Sequence, residues 1–148
     1  LLQDIAQTNP LNSKRFYWID SGFTNSFSVN EPIGTFDFLK SPKDNFLLTS
    51  YPYWTDSEIH GYNINKMTDL IGTKPSYVCR ATLFGGSLEQ IKKFNDKYYE
   101  YIDKSLEVGA IGTEEAIYTI VEMKHPELVT RYAMSNGDIK NYLNNIRK

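Results

Sequence analysis

The hydrophobic pattern of the chain alternates between short apolar runs and longer stretches of helical period. Phe16-Tyr17-Trp18-Ile19 is a continuous aromatic and branched run that Asp20-Ser21-Gly22 ends with turn chemistry. It predicts a buried strand covered on both faces. Phe46 to Ser50 predicts a second strand, and Ser76 to Phe84 a third that stops at Gly85-Gly86. Ser87, with Gln90 three residues on, makes a capping box. The helix it opens carries Leu88, Ile91, Phe94, Tyr98, Ile102 and Leu106 at helical spacing and runs to about Gly109. Thr113 caps a further helix with two acids in its first turn and a stripe of Ile117, Ile120 and Val121, ending near His125-Pro126.

The ends are less regular. Leu1 to Gln7 predicts the end of a helix stopped by Asn9-Pro10. Residues 23–45 predict a loop, and Ser135 with Asp138 predicts a last helix. Tyr51 to Tyr62 is aromatic, polar and aperiodic, which predicts a functional loop. Strands alternating with helices predict an α/β class with a mostly parallel sheet, in one domain over residues 1–148.

Composition narrows the function classes. Apolar residues are 41 % and aromatics 14 % of the 148, enough side-chain mass for a core, so disorder is not expected. The net charge of −2 gives no basic surplus for a nucleic-acid partner. No apolar run approaches the ~20 residues that cross a bilayer, and no secretory signal is present, which predicts a cytoplasmic setting. The lone Cys79 excludes a disulfide within the chain and reads as a buried, inert thiol.

Three places combine strand ends or helix starts with chemistry, where α/β proteins put function. Asp20 follows a strand and can hold a hard cation or simply cap its turn. Phe84-Gly85-Gly86 precedes a helix N-terminus; the glycines allow a ligand close to the backbone, or satisfy backbone geometry alone. Glu114 and Glu115 are dipole partners, or one of them is a general base. His125 is a metal or phosphate contact, or a cation at a helix C-terminus. Tyr51, Tyr53 and Trp54 can stack on a sugar or pack locally.

The blocks Tyr17-Trp18-Ile19-Asp20-Ser21-Gly22, Arg80-Ala81-Thr82-Leu83-Phe84-Gly85-Gly86-Ser87, Ile111-Gly112-Thr113-Glu114-Glu115 and His125-Pro126-Glu127-Leu128 resemble, in this order, the HtrL/YibB family. The resemblance spans about residues 14 to 130. That family resembles nucleotide-sugar glycosyltransferases of the GT-A fold. The resemblance implies transfer of a sugar from a nucleotide-diphosphate donor to an acceptor hydroxyl, assisted by Mn²⁺ or Mg²⁺. It implies Asp20 as the metal carboxylate with Ser21 and Gly22 beside it, Phe84, Gly85, Gly86 and Trp54 at the donor and acceptor, Glu114 or Glu115 as base, and His125 as a second metal ligand. The second carboxylate of the family's Asp-x-Asp motif falls on Gly22, where Ser21 or water would fill the gap. Fewer than twenty residues precede Asp20, so a GT-A fold would lack its N-terminal nucleotide-binding half here. A carbohydrate- or nucleotide-binding module without catalysis and a metal-dependent hydrolase of nucleotide-linked substrates are the alternatives.

Overall fold

The computed structural model describes residues 1–21 and 45–133. Helix α1 (Leu2–Thr8) leads to strand β1 (Phe16–Ile19), and β2 (Phe46–Pro52) follows. A small hairpin, β3 (Glu58–Ile59) and β4 (Tyr62–Asn63), runs into α2 (Ile64–Ile71). Then come β5 (Tyr77–Gly86), α3 (Leu88–Glu107), α4 (Glu114–Lys124), a 3₁₀ turn at Pro126–Leu128 and β6 (Val129–Ala133). Among the described residues no helix is long and apolar enough to cross a membrane. The loop expected over 23–45 lies, but for Asn45, outside the described residues, as does the helix expected from Ser135.

The α/β class holds, with one correction. The main sheet has the order β1-β5-β2-β6, and β5 runs antiparallel to both β1 and β2. Among the described residues only β2 and β6 are parallel. Alternation of strands and helices shows that helices cover a sheet but does not fix strand direction; two helices, not one, separate β5 from β6. A second correction concerns β1. It is an edge strand among the described residues, with Trp18 and Ile19 exposed, rather than a strand covered on both faces. A four-residue apolar run cannot tell these settings apart.

Local chemistry explains the elements. Ser87 and Gln90 close the capping box of α3, and the helix stops at Val108 before Gly109, which has φ +62°. Leu106, expected in the apolar stripe of α3, is exposed instead. The segment read as an aperiodic loop contains the hairpin. His60 (φ +48°) and Gly61 (φ +86°) form its two-residue turn, with both residues in the left-handed region such turns require. Its strands bury Ile59 and Tyr62 completely. Asn63 then caps α2, accepting from the Asn65 and Lys66 amides, and Gly72 ends it with φ +87°.

The core lies between the sheet and the helices: Phe46 and Leu48 from β2, Val78 and Cys79 from β5, Phe94 from α3, and Ile120 and Val121 from α4. Phe46 and Phe94 stack with centroids 4.1 Å apart. Cys79 is fully buried, as its reading as an inert thiol requires, and burial pushes the thiol far up from its ordinary pKa.

β1 pairs with β5 only from Leu83 to Gly86, where Gly85 is obligatory: a Cβ there would sit 2.1 Å from the Phe16 carbonyl oxygen. On the stretch that β1 leaves uncovered, α4 supplies the partners. The Cys79 amide donates to Thr119 Oγ1 (2.9 Å) and the Ala81 amide to Glu115 Oε1 (2.9 Å). Four helix residues rise about 6 Å and two strand residues about 6.6 Å, so the helix side chains match alternate strand amides. Glu122 continues the row to the Tyr77 hydroxyl and meets Arg131 Nε at 3.1 Å. The three α4 residues are buried although polar. Thr119→Val leaves the Cys79 amide unsatisfied, so it is expected to cost about 1–3 kcal/mol. Urea unfolding should show a lower midpoint at unchanged slope, with Thr119→Ser close to wild type; an unchanged midpoint in the valine variant would contradict the pairing.

Candidate functional site

The start of α4 is fixed by the β3–β4 turn. The His60 carbonyl accepts from the Thr113 amide at 3.0 Å. A Cβ at Gly112 would lie 2.8 Å from Tyr62 Cβ and 2.9 Å from the His60 carbonyl oxygen, so glycine is needed for this close approach. The His60 side chain adds a second contact, Nδ1 to Glu115 Oε2 at 2.6 Å, and its Nε2 lies 3.4 Å from the Tyr51 hydroxyl. Arg80 Nε sits 3.1 Å from Glu115 Oε1 but forms no aligned hydrogen bond, so that contact is electrostatic only. The Arg80 guanidinium also lies 4.9 Å from the centre of the Tyr51 ring. Both oxygens of Glu115 are thereby committed.

Its neighbour Glu114 points elsewhere. It lines a cleft of about 340 Å³ together with Asp20, which stands just past the end of β1. The Asp20 amide donates to the Thr82 carbonyl at 2.9 Å, extending the β1–β5 pairing one step and fixing where the strand-end carboxylate emerges. The rest of the wall is mostly aromatic. Trp18 stacks near Phe84 (6.2 Å), Phe84 meets Tyr118 edge-on (5.3 Å), Tyr118 lies 5.4 Å from Tyr98, and Tyr98 5.5 Å from Tyr99. Burial raises the pKa of the Tyr98 and Tyr118 phenols, and the negative charge of Glu114 adds to the shift. Both phenols are held neutral, able to donate and accept hydrogen bonds.

The sequence-predicted residues therefore divide. Asp20, Phe84 and Glu114 line one cleft, and Ser21 follows Asp20 on the surface. Gly22 lies outside the described residues. At Gly85 the close approach is made by the β1 backbone, and at Gly86 by the side chain of Gln90. Trp54 is 73 % exposed and does not line the cleft. His125 ends α4, about 16 Å of helix away from Glu114. It contacts Glu127 through Nδ1 (3.2 Å), and its Nε2 lies 3.4 Å from the Tyr101 hydroxyl. Asp20 and His125 thus do not form one centre. Tyr98, Tyr99 and Tyr118 were missed as lining residues because they read as ordinary helix positions. The signal was the aromatic excess of α3, with Tyr98 and Tyr99 adjacent; α4 contributes Tyr118 alone.

Comparison with family models, with curated proteins and with solved structures gives no match. The resemblance to HtrL/YibB rests on the four sequence blocks alone.

The different duties of the two glutamates can be measured. Glu115→Ala strips partners from the Ala81 amide, His60 and Arg80 and is expected to cost about 2–4 kcal/mol. Glu114→Ala is expected to cost less than about 1 kcal/mol, the scale of a surface charge at a helix start. Chemical denaturation of both variants decides this; equal losses would mean that Glu115 is not an anchor.

Proposed function

We propose that the chain carries the reaction centre of a GT-A-like glycosyltransferase, which moves a sugar from a nucleotide-diphosphate donor to an acceptor hydroxyl. One observation carries the reading: a strand-end carboxylate and a helix-start carboxylate, Asp20 and Glu114, line the same aromatic cleft although 94 positions separate them in sequence. Paired carboxylates beside aromatic rings suit sugar chemistry, because carboxylates accept from hydroxyls and rings pack on the apolar sugar face.

Glu114 is the base in this reading. Its carboxylate takes the acceptor hydroxyl's proton as the acceptor oxygen bonds to the anomeric carbon and the bond to the diphosphate oxygen breaks. Glu115 is the anchor, since the Ala81 amide, His60 and Arg80 already occupy it. The donor set suits Mn²⁺ or Mg²⁺ arriving with the donor. Asp20 would supply the carboxylate, no group of three or more His, Cys, Asp or Glu comes together among the described residues, and Mg²⁺ commonly takes one or two protein carboxylates beside substrate phosphates. Such an ion would offset charge on the departing diphosphate.

With nucleotide-sugar donors, hydroxyl acceptors and Mn²⁺, the protein should transfer sugar. Asp20→Asn and Glu114→Gln should each lower the rate at least about 100-fold, with unchanged thermal midpoints. Wild-type turnover in either variant would reject that residue's role, and absence of transfer across the donor panel would reject the enzyme reading.

A further inference from the structure

We infer, building on the reading above, that the aromatic cleft is the acceptor subsite and that its acceptor is a neutral sugar bearing no phosphate.

Charge points to this class first. The charged side chains in the wall, among the described residues, are the acids Asp20 and Glu114; no lysine or arginine lines it, and the ammonium of the lining Leu1 is engaged by Asp4 at 3.1 Å. Phosphate recognition ordinarily uses such cations or converging backbone amides. A phosphate placed here in the absence of metal would face the like charge of Glu114, which disfavours its binding. The hydroxyls of a neutral sugar instead donate to that carboxylate.

Shape agrees. The rings run as an unbroken series from Trp18 on the edge strand through Phe84 and Tyr118 to Tyr98 and Tyr99 on α3. Trp18 and Tyr99 are 36 % and 62 % exposed and offer apolar faces to a ligand, while the neutral phenols of Tyr98 and Tyr118 add hydroxyls. At about 340 Å³ the cleft stands at the small end of ligand pockets, roughly 300–1,000 Å³, which suits one or two sugar rings. Glu114 sits in the same wall, within reach of an acceptor hydroxyl.

The test uses saturation-transfer NMR and fluorescence in a Trp54→Phe background, where Trp18 is the remaining tryptophan, with EDTA to remove metal. The probes are glucose, galactose, maltose and lactose against glucose 6-phosphate and galactose 6-phosphate. At least one neutral sugar should bind and perturb Trp18, and the phosphorylated probes should bind at least tenfold more weakly. Tyr99→Ala, at an exposed position tolerant of change, should weaken neutral-sugar binding severalfold. Asp20→Asn combined with Glu114→Gln should narrow the discrimination against glucose 6-phosphate. Metal-free binding of either phosphorylated probe as tight as that of the neutral sugars would overturn the inference, as would failure of every neutral sugar to bind. Sugar binding with no transfer from any donor would leave this inference standing and sink the enzyme reading. Transfer that depends on Asp20 and Glu114 but requires a phosphorylated acceptor would do the reverse.

Discussion

The buried polar seam between α4 and the uncovered part of β5 is the interaction on which the remaining structure depends. A strand stretch without a neighbouring strand leaves amides that must find partners. Here Glu115 and Thr119 supply them, at a helix spacing that matches alternate strand residues. Glu122 extends the seam to Tyr77 and Arg131. Burying a glutamate is unfavourable unless it is paired and hydrogen-bonded. Glu115 meets that condition through the Ala81 amide, His60 and Arg80. The rotation of α4 about its axis is fixed as a result, because only one helix face carries these groups.

That fixed rotation connects packing to the site. With Glu115 turned toward β5, the adjacent Glu114 borders the cleft that Asp20 at the strand end also lines. The β3–β4 turn contributes twice, through the His60 carbonyl and the His60 ring. A non-glycine residue held at positive φ is unusual, and His60 adopts that conformation where both of its contacts are needed. The two carboxylates of the proposed reaction therefore owe their meeting to a helix seam, a two-residue turn and a short edge strand.

Much of the fold was legible locally. The Ser87–Gln90 capping box, the stop before Gly109 and the end of α4 at His125 follow from pairwise chemistry along the chain. Helix α2 was equally legible in its Asn63 cap, its Ile64, Met67 and Ile71 spacing and its Gly72 stop, yet it was overlooked beside the aperiodic aromatic segment. Strand direction was not legible, because alternation of elements does not encode it, and the same apolar letters serve an edge or a central strand. At the site, Asp20 and Glu114 were found as types at strand and helix ends. What separates Glu114 from Glu115 is a contact with Ala81, His60 and Arg80, more than thirty positions away along the chain. Sequence spacing carries no trace of that contact.

Amide hydrogen exchange, resolved by residue, tests the seam most directly. If α4 closes the edge of β5, the Cys79 and Ala81 amides should exchange only on global unfolding, as slowly as the central amides of β2. Exchange of these two amides at the fast rate of an open strand edge, while the β2 amides stay protected, would contradict the account.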